Sequence, residues 1–150
     1  MKDVSRLLAF TGLVIACTGC GGTYDATVTG AITLDGQPLT RGTVKFIPDG
    51  ASAPAYGLVG SDGAYSLMTG REEGIQSGAY TVTVVANAPS TPDPKSPSSP
   101  PMPGKPITPA WYRDAQSSPM KESVESGSNE INLALTSTPP PGWKPPPGRR

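Results

Sequence analysis

The stretch Gly78-Ala79-Tyr80-Thr81-Val82-Thr83-Val84-Val85-Ala86 decides the fold. Tyr80, Val82, Val84 and Ala86 fall on one side of an extended chain. Period two with β-branched residues is the pattern of a β-strand. Working outward, the same alternation recurs. Residues 27–34 set Val28, Gly30, Ile32 and Leu34 against Thr27, Thr29, Ala31 and Thr33. Asp35-Gly36 turns the chain, with Pro38 just after it. Residues 43–47 place Val44 and Phe46 on one face and end at Pro48-Asp49-Gly50. A short third strand spans 56–59, and Ser61-Asp62-Gly63 turns it into Tyr65-Ser66-Leu67-Met68, so these two are expected to form a hairpin. A polar loop at 69–78 leads to the deciding strand. Near the end, Ile131, Leu133 and Leu135 alternate after Gly127-Ser128-Asn129. Six such strands, with a seventh at 120–124, predict an all-β fold: a single immunoglobulin-like or prealbumin-like β-sandwich of about six or seven strands. No ten-residue window carries the helical period.

Composition agrees. The chain has 150 residues, enough for one domain, with 19 prolines and 18 glycines that resist regular helix. Its 12 basic and 12 acidic residues cancel, so no strong field draws it to nucleic acid. Histidine is absent, which removes the commonest acid–base catalyst and metal ligand near neutral pH. Two stretches do not fit the strand pattern. Residues 89–109 hold nine prolines in 21 positions, and the insertion at 88–106 is expected to be an extended, polyproline-like loop. Residues 137–150 repeat triple proline around Gly142-Trp143-Lys144 and end in Arg149-Arg150, so they are expected to form a disordered, solvated tail.

The N-terminus carries Lys2 and Arg6, then runs apolar over 7–16. Ten residues at about 1.5 Å each cover roughly half of a ~30 Å hydrocarbon core, too little to span it. A charged start, a short apolar stretch and a small-residue exit describe a secretory signal peptide. The exit, Ala16-Cys17-Thr18-Gly19-Cys20-Gly21-Gly22, resembles the lipobox of bacterial lipoproteins. In that family the cysteine thiol receives a diacylglyceryl group, the signal is cut just before it, and the new N-terminus is acylated. Cys20 is the favoured lipidation site because it leaves a longer apolar stretch and a separate exit; Cys17, after Val14-Ile15-Ala16, is the alternative. Two or three acyl chains, at ~0.8 kcal/mol per buried methylene, would hold the protein on a membrane. The expected organisation is signal peptide 1–19, lipidated tether 20–26, sandwich 27–136 and tail 137–150.

Val28-Thr29-Gly30-Ala31-Ile32-Thr33-Leu34-Asp35-Gly36-Gln37-Pro38-Leu39, followed by Gly42-Thr43-Val44-Lys45-Phe46-Ile47-Pro48, resembles the opening of carboxypeptidase regulatory-like, or transthyretin-like, bacterial lipoproteins. Asp62-Gly63-Ala64-Tyr65 and the strand from Gly78 to Val84 are similar to further motifs of that family. Pro109-Ala110-Trp111-Tyr112, Ser118-Pro119 and Gly127-Ser128-Asn129 match later ones approximately. The resemblance implies a prealbumin-like sandwich in the periplasm or at the cell surface, and no reaction. Where the family commonly has Asp-x-Asp-Gly, this chain has Gly60-Ser61-Asp62-Gly63.

Transthyretin-like sandwiches include hydrolases of 5-hydroxyisourate, which depend on histidines and a C-terminal tyrosine motif. This chain has no histidine, and 136–150 holds no tyrosine. Glu72-Glu73 are neighbours, and neighbours in an extended chain point opposite ways, so they do not flank one bond. The serines have no partner base in any Gly-x-Ser-x-Gly elbow. Asp35, Asp49 and Asp62 each precede glycine, where aspartate serves turn hydrogen bonding rather than a metal. Trp111 and Tyr112 are the candidate ligand contacts, either as an exposed platform for sugars or as a cap on the core. Trp143, within the proline-rich tail, is a candidate ligand for a groove that takes extended proline-rich chains, or part of a spacer. The expected protein is not an enzyme and has no cofactor or metal. It is exported and anchored to a bacterial membrane, with the outer membrane, cell surface or periplasm as its location. Its partner is an envelope protein or polysaccharide.

Overall fold

The computed structural model describes residues 23–92, 101, 102 and 104–144. The expected signal peptide and both candidate lipidation sites, Cys17 and Cys20, lie outside the described residues, as do 145–150 of the tail. The fold is the all-β sandwich that the alternation predicts. In chain order the strands are β1 (Ala26–Leu34), β2 (Gln37–Pro38), β3 (Gly42–Pro48), β4 (Ala55–Val59), β5 (Ala64–Ser66), β6 (Met68–Thr69), β7 (Glu72–Glu73) and β8 (Gly78–Val85). A 3₁₀ turn at Ala110–Tyr112 precedes β9 (Lys121–Val124), β10 (Gly127–Glu130) and β11 (Leu133–Leu135). The seventh strand expected at 120–124 is β9.

Two sheets form the layers. The larger runs β7-β6-β4-β3-β8-β9, antiparallel throughout. The smaller is built on β1, which pairs in parallel with β10 and β11 and antiparallel with β2 and β5. Both parallel pairings keep one register, Ala26 opposite Gly127 and Ile32 opposite Leu133. The return strand is interrupted at Ile131-Asn132, where the Ile131 N–H donates to the Thr29 carbonyl at 2.8 Å. There the Asn132 side chain accepts the Ala31 N–H at 2.8 Å, so a side-chain oxygen replaces a ladder carbonyl.

The inner faces follow the period-two arithmetic. Ala26, Val28 and Ile32 of β1 face Val44 and Phe46 of β3 and Tyr80, Val82 and Val84 of β8, all buried. The Phe46 ring lies 6.4 Å from Tyr65 and 6.0 Å from Tyr80, tilted to both, and so joins the two layers. Strand β8 lies between β3 and β9, and its outward Thr81 and Thr83 are buried too. Thr81 is satisfied there: its hydroxyl donates to Asp49 at 3.2 Å and accepts from Lys121.

At one point the chain departs from expectation. Residues 56–59 and 65–68 do not make a hairpin. After the turn at 60–63 the chain crosses to the other layer, where β5 pairs with β1, and only Tyr56 and Met68 bridge back in the larger sheet. The reason lies in Tyr65, whose ring needs the core face of β1, and in Leu67, whose N–H donates to the Val28 carbonyl at 3.0 Å. The polar loop at 69–78 also carries a core residue. Ile75 is fully buried, and its backbone exchanges bonds of 2.9 and 3.1 Å with Ala26.

The proline-rich insertion leaves and returns at one place. Asn87 bridges Pro106 and Thr91 bridges Met102. The N–H of Ala88 donates to Lys105 at 2.8 Å, and that of Ile107 to Ala86 at 2.8 Å. Buried Thr108 accepts the Ala86 N–H at 3.0 Å, which closes the excursion without disturbing the core.

Candidate functional site

Trp111 and Tyr112 stand on the 3₁₀ turn that follows Pro109, with only 7% and 6% of their surfaces exposed. Their ring centroids are 5.9 Å apart, and the Tyr112 hydroxyl accepts the Thr136 N–H at 3.1 Å. An exposed sugar platform is therefore not formed, and these two residues cap the core instead. Aromatic side chains carry roughly 150–250 Å² each, so burying them at the open end of a small sandwich is worth more than displaying them. The tail expectation is corrected at Trp143. Pro140-Pro141-Gly142-Trp143 turns back on itself, the Trp143 N–H donating to Pro140 at 3.1 Å with Gly142 at φ 79°. This sets the Trp143 ring edge-on to Trp111, centroids 5.0 Å apart. Among the described residues neither indole N–H has a hydrogen-bond partner.

Among the described residues the carboxylates do not converge. Asp62 accepts the Ala64 N–H at 3.1 Å, and Asp35, itself at φ 50°, accepts the Ser137 N–H at 2.9 Å. Asp49 lies 3.8 Å from Lys121 in an exposed pair. The Ser137 bond holds Asp35 below the usual carboxylate range, and the hydroxyl and N–H of Ser77 do the same for Asp25. Glu72 and Glu73 are exposed on β7. Among the described residues no three histidine, cysteine or acidic side chains gather as a metal would require.

What the structure does bring together is a surface that the sequence reading passed over. Across the larger sheet the pairings align Thr83, Lys45, Tyr56, Met68 and Glu73 in one row on the outer face. Tyr56 and Met68 are each 44% exposed, and Leu58, two residues along β4, is 80% exposed. The Lys45 ammonium lies 5.1 Å from the Tyr56 ring centroid. Tyr56 lines two grooves. One, of about 430 Å³, runs between Lys45, Thr83 and the segment Arg113-Asp114-Ala115. The other, of about 350 Å³, is bounded by Leu58, Met68 and Gly70. Beyond Leu58 a shallow hollow of about 650 Å³ opens over Thr29, Ala31, Ser66 and Asn132 of the smaller sheet. The signal for this face was present in the sequence. Ala55-Tyr56-Gly57-Leu58-Val59 is apolar on both sides of the strand, with the smaller residues inward and the larger ones outward.

Comparison with family profiles, with curated proteins and with solved structures finds no match to this chain.

Proposed function

We propose that this protein is a non-catalytic module, lipid-anchored in a bacterial envelope, that works by presenting a rigid sheet face to a partner. The observation that carries the reading is the outer face of the larger sheet. Three large apolar side chains, Tyr56, Leu58 and Met68, are exposed beside one another on a strand pair whose opposite face is fully committed to the core. Contiguous apolar surface rimmed by charge marks contact sites in monomeric proteins, and here Lys45 and Glu73 supply the rim. Support for the anchor comes from the charged start, the apolar stretch at 7–16 and Cys20 among small residues. The resemblance to carboxypeptidase regulatory-like lipoproteins supports the same placement.

The experiment compares envelope complexes of the full chain with those of Leu58→Asp on native gels. Leu58 packs nothing in the core, so the variant should keep the wild-type melting temperature and lose the complex. A complex unchanged in Leu58→Asp contradicts the assignment of this face.

A further inference from the structure

We propose that the outer face of the larger sheet seats a second copy of this chain, packed face to face about a twofold axis that runs along the strands midway between β4 and β6. This rests on reading that face as a contact surface, and it names the partner. Three observations lead there.

The first is how charge is laid out on the face. Lys45, Tyr56, Met68 and Glu73 follow one another on β3, β4, β6 and β7. The middle of this row is apolar, and its two ends carry opposite charge equally far from the midpoint. Among the described residues neither Lys45 nor Glu73 has an ion-pair partner. Rotation about an axis along the strands carries β7 of one copy over β3 of the other, so each Lys45 meets Glu73 of the second copy. An axis laid across the strands, along the row, would set lysine on lysine and glutamate on glutamate. The charges therefore select one arrangement, and it closes on itself as a dimer.

The second is shape. The groove of about 430 Å³ beside Tyr56 lies over β3 and β8, walled by Arg113-Asp114-Ala115. The same rotation brings the β7 edge of the second copy into that groove, where its Glu73 finds Arg113 as well as Lys45. Asp114, the acid on that wall, already accepts the Gln116 N–H at 2.9 Å. Near the axis the exposed Tyr56, Leu58 and Met68 of the two copies cover one another.

The third is size. Four strand spacings from β8 to β7, at about 4.8 Å each, and the five residues of β4, at about 3.4 Å each, outline a face of roughly 19 by 17 Å. Two such faces bury less than the ~1,600 Å² of a standard interface, so the pair is weak and depends on local concentration. The proposed anchor supplies that, since copies held on one membrane meet at a raised effective concentration.

The test places a photoreactive side chain, Leu58→p-benzoylphenylalanine, in the full-length chain, followed by irradiation of intact cells and peptide mapping. The expected product has dimer mass and joins residue 58 to β4 or β6 of the second copy. Lys45→Glu or Glu73→Lys alone should cut its yield about tenfold, because each turns two symmetry-related attractions into repulsions. Both substitutions together should restore it, which a fold defect would not do. Melting temperatures of the variants check that each is folded, and a misfolded probe is moved to Tyr56, where one aromatic ring replaces another. A dimer mapped to another face, a yield indifferent to the charges, or a loss that the double exchange does not restore overturns the proposal. Products with a foreign protein or polysaccharide and none at dimer mass also overturn it, and leave the contact-surface reading standing. Products with nothing at all sink both.

Discussion

At Gly30 the sandwich has no room for a side chain. A β-carbon there would sit 1.9 Å from the Ile131 carbonyl oxygen and 3.2 Å from the Tyr65 ring. Tyr65 uses that space, its hydroxyl donating to the same carbonyl at 2.7 Å. The alternation placed Gly30 on the core face correctly, but its role depends on Ile131, a hundred residues away, which no local pattern reaches. Gly30→Ala should destabilise the fold by roughly 3 kcal/mol or more, because backbone and not a flexible side chain must yield. Tyr65→Phe should cost about 1 kcal/mol, the net value of one hydrogen bond. Urea titration measures both. Burial raises the Tyr65 phenol well above its ordinary value of 10.0, and the Tyr80 phenol in the same direction. Unfolding releases both to ionise normally, so their contribution is intact below about pH 10 and falls as pH rises past it. Asp25 and Asp35 act at the other end. Held below their ordinary 3.8, they stabilise the fold above that pH, and the contribution is lost as pH falls through their folded values. A pH series of melting temperatures should show both declines, and Tyr65→Phe should soften the alkaline one.

Elements were legible where one face is apolar and the other polar. Strands β1, β3 and β8 follow from period two, and β9 from a weaker version of it. The failure at 56–68 has a definite cause: a turn sequence says where the chain reverses, not which sheet receives it. Tyr65 and Leu67 find a deeper site against β1 than beside β4, so the crossing wins over the hairpin. Composition misled in a different way at the tail. Proline-rich sequence argues for solvation, yet the turn at 140–143 aims one tryptophan at another. Trp143→Ala should therefore expose the Trp111 ring, shift the remaining tryptophan emission to longer wavelength and lower stability by about 1–2 kcal/mol, short of a full core truncation because Trp143 is only partly buried. An emission maximum already at the solvent-exposed value in the wild type would contradict the packing. The insertion gives the opposite expectation. Its ends are closed by Ala88–Lys105 and Ile107–Ala86 bonds. Shortening the part between Thr91 and Met102 by half should change stability by only about 0.6 kcal/mol.

For the whole molecule, the proposed role is contact, and the feature that supports it is the exposed apolar face of the larger sheet. The candidate ligand residues chosen from sequence, Trp111 and Tyr112, proved to be core because aromatic content alone does not distinguish a platform from a cap. The exposed face on β4 and β6 was the less conspicuous feature, carried by a tyrosine and a leucine of one strand that only the sheet pairing brings beside a methionine of another. The proposed role requires the protein to be held in the envelope, and the proposed anchor is the cysteine at position 20. Intact-mass and fragmentation spectrometry of the protein extracted from native membranes tests this most directly. The expected species begins at Cys20 with a diacylglyceryl thioether and an acylated amine, and Cys20→Ser should release the protein from the membrane fraction. A chain starting at Met1, unacylated and recovered from the cytosol, would contradict the account.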